Sequence, residues 1–273
     1  MSVPLPVVEP KPRGWSERYA AVFSEREVVD HYHLRPPYPD ETVELLAELA
    51  AGGAVVDLGC GTGELARRLA PLVERVDAVD VSAPMIEAGR MLPGGDSANL
   101  RWHVGRVEEI DLGGPYRLAV AGSSMHWFDW GSLFPRLVEL LPGGVLAIVH
   151  RAWMRDERLT AALVPVYDRH SSNEDFEDLD LLAELARRSL FEESGRSESA
   201  PEPWRPTLDE LVSLHFSMSG FAPSRLGDPK GFAADVRAAV SSTLEARDGR
   251  YDLEVVGTVT WGKAVPGTEV PGT

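Results

Sequence analysis

From residue 54 onward the chain alternates short, mostly apolar runs with stretches whose apolar residues recur every three or four positions. The runs at 54–58, 75–79, 99–104, 117–122 and 145–150 are too short for helices and are bounded by turn-forming residues, so they predict five β-strands. The stretches at 62–72, 84–91 and 133–141 predict helices. Leu65, Leu69 and Leu72 share one face of the first, and Ser82 is placed to cap the second. Buried strands alternating with helices imply a parallel sheet covered on both faces.

The flanks read differently. Residues 15–33 are compatible with helix and unusually aromatic, with Trp15, Tyr19, Phe23 and Tyr32. Arg35-Pro36-Pro37-Tyr38-Pro39 then breaks the chain, and Pro39 opens a helix whose apolar face is Val43, Leu46 and Leu49. Beyond residue 154 the alternation lapses. Two helices are expected within 156–191, around an acidic stretch at 171–180 that reads as solvated surface and not as a metal site. A strand is expected within 191–204, helices at 207–216 and 231–245, and a last strand at 253–263. The expected division is a loose N-terminus at 1–14, a helical lid at 15–52, a core at 53–153, a cap with a sixth strand at 154–250, a last core strand at 251–265 and a loose tail at 266–273.

The chemistry concentrates at Asp57-Leu58-Gly59-Cys60-Gly61-Thr62-Gly63, where a strand meets a glycine turn and a helix start. Glycines there let the backbone turn tightly and approach a ligand. Asp80 ends the next strand and can accept both hydroxyls of a ribose. A dinucleotide site would want a third glycine at position 64, which is Glu64, and the lysine of a phosphate loop is absent. G-x-G-x-G after an acid fits a nucleoside carrying an amino acid better than a pyrophosphate.

These residues carry a resemblance. VVDLGCGTG (55–63), VDAVDVSAPMIEAGR (76–90) and LLPGGVLAIV (140–149) resemble the motifs of class I S-adenosylmethionine-dependent methyltransferases, in particular the type 11 small-molecule group. AVAGSSMHWFDW (119–130) and RPPYP (35–39) resemble the trans-aconitate methyltransferase branch; the similarity spans roughly residues 30–150. It implies a Rossmann-like α/β fold: a seven-stranded, mostly parallel sheet of order 3-2-1-4-5-7-6 with a helical cap insertion. It implies S-adenosylmethionine as cofactor, with Asp57, Gly59, Cys60, Gly61 and Gly63 around the methionyl part and Asp80 on the ribose. Val81 and Met85 would lie against the adenine, and Arg106, Val107 and Ser123 complete the cofactor set. Where the family has Gly-Asp-Ala, this chain has Gly105-Arg106-Val107, and an arginine cannot accept the adenine amino hydrogen bond. Backbone groups or Glu108 are the alternatives.

The acceptor pocket is expected beyond the carboxyl ends of strands four and five. Ser124, Trp127, His150 and Trp153 are its candidates, with Tyr19, Tyr32 and Tyr38 from the lid. His126 is the candidate general base, with loop packing as its competing role. Arg35 is either an anion clamp or a local salt-bridge partner. His170, Tyr167 and Met218 are placed on the cap side of the pocket. His31 and His33 have no accompanying cluster, so no metal is expected.

A formal net charge of -16 argues against a nucleic-acid partner and against docking on anionic lipid. A single cysteine, Cys60, points to a reducing compartment, and the N-terminal residues do not read as a secretory signal. A cytoplasmic monomer or homodimer acting on a small molecule is the expectation. The competing readings are a non-methylating enzyme that keeps the cofactor, such as a cyclase, and a non-catalytic binding protein.

Overall fold

The computed structural model describes residues 11–177 and 179–266, so most of the expected loose ends fall outside the described residues. Five parallel strands form the centre: β1 (Val55–Leu58), β2 (Val76–Asp80), β3 (Leu100–Val104), β4 (Leu118–Gly122) and β5 (Val145–Ala152). Three antiparallel partners follow: β6 (Phe191–Glu198), β7 (Glu202–Trp204) and β8 (Leu253–Ala264). The order is β3-β2-β1-β4-β5-β8-β6, with β7 pairing β8 off the main path. This is the expected Rossmann-like sheet, its last strand antiparallel between β5 and β6. The eighth strand is the one addition. Residues 191–204 form two strands, because Ser199 leaves the β6 pairing to bond Gly257 and the chain re-pairs with β8 at Glu202.

Ten α-helices occur among the described residues: α1 (Glu17–Ala20), α2 (Arg26–Tyr32), α3 (Asp40–Ala50), α4 (Glu64–Leu69), α5 (Ala83–Met91), α6 (Trp130–Leu140), α7 (Glu157–His170), α8 (Leu181–Arg187), α9 (Leu208–Leu214) and α10 (Pro229–Thr243). One face of the sheet is covered by α3 and α4, with Val43, Leu46, Leu65 and Leu69 packed on Val55, Val76 and Val120. The other is covered by α6 and α8, with Trp130, Phe134 and Leu185 on Leu58, Ala119 and Ile148. The aromatic segment expected as one helix is broken into single turns and the short helices α1 and α2. No side-chain cap holds the starts of α1 and α2.

The cap has its own core, where Phe221 and Phe232 stack 4.7 Å apart beside Leu163, Leu211 and Val236. α9 is entered through a capping box of Thr207 and Glu210. His215 is buried in this core, with Nδ1 2.7 Å from the Leu211 carbonyl and Nε2 2.8 Å from the Tyr167 hydroxyl. A carbonyl only accepts, so Nδ1 carries the proton and Nε2 accepts from Tyr167. Burial lowers its pKa from 6.5 to about 4. The unfolded chain therefore binds a proton more readily than the folded one. The stability this confers is complete above pH 6.5 and is lost as pH falls toward 4, a loss of about 3 kcal/mol. Urea titrations are expected to show a shallower decline across that window for His215→Gln than for the unsubstituted protein; equal slopes would refute the assignment.

Candidate cofactor site

The order of the parallel strands reverses between β1 and β4, and a cavity of about 400 Å3 opens beyond their carboxyl ends. That is where an open α/β sheet places its ligand, and the volume is that of a small-molecule site. Gly59 and Gly61 contribute its wall after β1, Asp80 and Val81 after β2, Gly105 to Glu108 after β3, and Gly122 to Ser124 after β4. The N-terminal segment closes it with Glu17, Phe23, Ser24, Tyr32 and Arg35.

The glycine turn requires its glycines. Gly61 has φ 57°, and an added Cβ would lie 3.1 Å from the Tyr32 hydroxyl. Gly63 has φ 69°, and a Cβ there would come within 2.3 Å of the Trp102 ring. Gly63→Ala is expected to cost about 1–2 kcal/mol from left-handed backbone alone, before the clash. A melting point several degrees lower would register it, and an unchanged one would contradict the geometry.

The two acids divide their work. Asp57 is 2% exposed and does not line the cavity; its Oδ2 accepts from Ala66 N at 3.2 Å. It thus takes one of the free N–H donors at the start of α4. Burial pushes its pKa up to about 7. Asp80 lines the cavity, with Oδ2 accepting from Gly61 N and Oδ1 from Ser82 N, both at 2.8 Å. Each oxygen keeps a lone pair, so the carboxylate is fixed in direction and still able to accept a diol. Burial raises its pKa too, against those two bonds.

Arg35 is the feature that sequence reasoning left open. Its guanidinium is buried, with Nε on Ser217 Oγ at 2.9 Å and Nη2 on the Ser217 carbonyl. It lies over the rings of Tyr32 at 4.2 Å and Phe23 at 5.9 Å. No ion pair satisfies it among the described residues, so it is not a local salt-bridge partner. Arg151, by contrast, pairs with Glu64 Oε2 at 2.6 Å and stacks on Tyr38 at 4.4 Å. Glu64 Oε1 accepts from Tyr38 N at 2.6 Å, which ties the Arg-Pro-Pro-Tyr-Pro segment to the glycine turn.

Of the cofactor candidates, Gly59, Gly61, Asp80, Val81, Met85, Arg106, Val107 and Ser123 line the cavity. Asp57, Cys60 and Gly63 stand outside its wall. Of the acceptor candidates, Tyr32, Ser124 and Trp127 line it, and Tyr19, Tyr38, His150 and Trp153 do not. Tyr19 is wholly buried with its hydroxyl on Asp175 Oδ2 at 2.9 Å. Trp153 packs on Trp204 and His215 in the cap. His126 also stands outside the wall, its ring 4.3 Å from Trp127. Burial, then the charges of Lys11, His150 and Arg35, lower its pKa to about 3, which leaves a neutral imidazole of little basicity. His170 bonds Asp235, and neither Tyr167 nor Met218 reaches the cavity. The sequence reading did not single out Phe23 or Phe128 as site residues, although Phe23 lies in the aromatic segment and Phe128 in AVAGSSMHWFDW. Ser123 carries a structural sign, a positive φ of 53° in a non-glycine residue at a ligand wall.

Residues 55–144 match the family model described as a methyltransferase domain. An uncharacterized methyltransferase of Mycobacterium tuberculosis is 38% identical over 127 residues, covering 46% of this chain and 49% of that protein. A trans-aconitate 2-methyltransferase of Deinococcus radiodurans is 42% identical over 100 residues, covering 34% of this chain and 36% of that protein. The chain thus spans about half or less of the length of these curated relatives. Among solved structures, a protein of Anaeromyxobacter dehalogenans, provisionally named a type II methyltransferase, superposes with a TM-score of 0.60 at 24% identity. That superposition covers 84% of this chain and 97% of the other. Residues 55–144 thus resemble a methyltransferase domain, and the fold around them is shared with the Anaeromyxobacter dehalogenans protein.

S-adenosylmethionine is the cofactor that the resemblance implies, and the residues present fit it. A directed carboxylate with free lone pairs suits a ribose, an unpaired guanidinium suits a carboxylate, and the Val81–Met85 side offers an apolar surface. No helix among the described residues is long and apolar enough to cross a membrane.

Proposed function

We propose that the protein moves a methyl group from S-adenosylmethionine, by in-line displacement, to an oxygen, nitrogen or carboxylate acceptor on a small molecule of specialised metabolism. The observation that carries the reading is the meeting, in one cavity, of Asp80, the unpaired Arg35 and aromatic rings. Asp80 takes the ribose hydroxyls, Arg35 the methionyl carboxylate, and Val81 and Met85 face the adenine.

The bound cofactor supplies an activated methyl group, so the chain's own task is alignment, worth on the order of 7–11 kcal/mol of barrier. Phe23, Tyr32, Trp127 and Phe128 add aromatic rings to the cavity wall. Their ring faces suit a sulfonium cation and exclude water. The carboxylates on the wall are Asp80, Glu17 and Glu108, each bonded to an N–H or a guanidinium. With His126 outside the wall, Asp80 given to the ribose, Glu108 Oε1 held by Asp129 N and Glu17 held by Arg106, the wall offers no dedicated general base. This supports an acceptor whose nucleophilic atom is unprotonated near neutrality, such as a carboxylate. The reading extends to a cytoplasmic monomer or homodimer without nucleic-acid or membrane partners, consistent with the charge of -16.

The test is methyl-labelled cofactor incubated with panels of carboxylic acids, phenols and amines. Label in an acceptor supports the reading. Cofactor bound tightly, with no label transferred to any class, overturns it.

A further inference from the structure

We infer that Glu64 and Arg151 are positioning residues of the cofactor site: their ion pair clamps the 35–38 segment and so sets where the Arg35 guanidinium meets the ligand's carboxylate. The inference rests on the proposed cofactor and on the role proposed for Arg35. Glu64 stands where a dinucleotide turn would carry its third glycine. Neither Glu64 nor Arg151 lines the cavity, so what the pair does for a ligand it does through another residue.

The clamped segment is almost devoid of backbone donors. Pro36, Pro37 and Pro39 have no N–H, so Tyr38 carries the only one in residues 36–39. Glu64 Oε1 accepts from it at 2.6 Å. Arg151 Nη1 donates to the Pro36 carbonyl at 2.5 Å and to Glu64 Oε2 at 2.6 Å. Its guanidinium also lies over the Tyr38 ring, and Arg68 donates to the Tyr38 carbonyl. Proline rings fix φ along this stretch, and Pro36 restricts the backbone of the residue before it. A clamp on Pro36 and Tyr38 therefore fixes their immediate neighbour, Arg35. The other jaw is the first residue of α4, directly after the glycine turn. One carboxylate thus sets the spacing between Arg35 and the turn that walls the cavity.

The pair also decides which cation is left for a ligand. The Arg35 and Arg151 guanidiniums are both buried and close enough to repel. Glu64 neutralises Arg151, and no ion pair neutralises Arg35 among the described residues. Removing one partner of a buried pair leaves an uncompensated charge. Loss of the Glu64 carboxylate sets two free cations side by side and pushes the segment away from its seat.

Glutamine at 64 keeps the bond to Tyr38 N through its amide oxygen and loses the charge that faces Arg151. The test titrates two ligands by calorimetry, S-adenosylhomocysteine and 5′-methylthioadenosine, which has no carboxylate. They are titrated into the unsubstituted protein, Glu64→Gln, Arg35→Met and the double variant. Glu64→Gln is expected to weaken S-adenosylhomocysteine by about tenfold and to leave 5′-methylthioadenosine unchanged. In the Arg35→Met background the same substitution is expected to cost nothing further. If Glu64→Gln does not fold, Arg151→Lys carries the same comparison, because lysine keeps the charge for Glu64 and ends a bond short of the Pro36 carbonyl. Equal losses for the two ligands, no loss, or a loss undiminished in the Arg35→Met background overturns the inference and leaves the cofactor reading intact. An unsubstituted protein that binds neither ligand overturns the cofactor reading and this inference together.

Discussion

Asp80→Ala is expected to lower the affinity for S-adenosylhomocysteine by about a hundredfold or more, with the sheet intact. The side chain does two things at once. It fixes the glycine turn and the start of α5 by accepting from Gly61 N and Ser82 N, and in the proposed site its remaining lone pairs accept from the ribose. Truncation removes two charge-assisted bonds to the ligand and frees the backbone that shapes the wall. Hydrogen bonds to charged groups contribute about 1.5–3 kcal/mol each, which sets the scale of the loss. Calorimetry reads the affinity, and circular dichroism confirms the fold. A variant that binds within a few-fold of the unsubstituted protein would remove Asp80 from the site.

The second large effect separates function from stability. Arg35 keeps a permanent charge in a buried position without an anion, an arrangement that costs folding free energy. Methionine preserves the unbranched stem and removes the charge. Ser217, which loses the guanidinium, still donates to the Leu214 carbonyl at 2.6 Å. Arg35→Met is therefore expected to leave the ligand-free protein as stable as before, or more so. Its affinity for S-adenosylhomocysteine should drop by about a hundredfold, while that for 5′-methylthioadenosine, which lacks the amino-acid part, stays the same. Equal losses for both ligands would assign Arg35 to packing and not to the carboxylate.

The parallel core was legible because its determinants are local. Val55-Val56-Asp57-Leu58 is a strand buried along its whole length, and a turn with three left-handed glycines follows it at once. Asp80 was legible for the same reason, as an acid at a strand end. What escaped depends on distant neighbours. Arg35 reads from the sequence as either an anion clamp or a local salt-bridge partner, until the structure sets it on Ser217, 182 residues away, with no ion pair among the described residues. Asp57 sits in the strongest motif yet serves the helix rather than the cavity, a distinction set by which way one strand residue points. Tyr19 and Trp153 looked like pocket residues because aromatic side chains suit both pockets and cores; Asp175 and Trp204 settle them as packing. β7 is three residues long with a proline at its centre, too little pattern to signal a strand.

The most direct test of the central claim is a calorimetric titration of the purified protein with S-adenosylhomocysteine, alongside a dinucleotide control such as NAD. One-to-one binding in the micromolar range, with none for NAD, is the predicted result. A folded protein that binds neither S-adenosylhomocysteine nor S-adenosylmethionine would contradict the account.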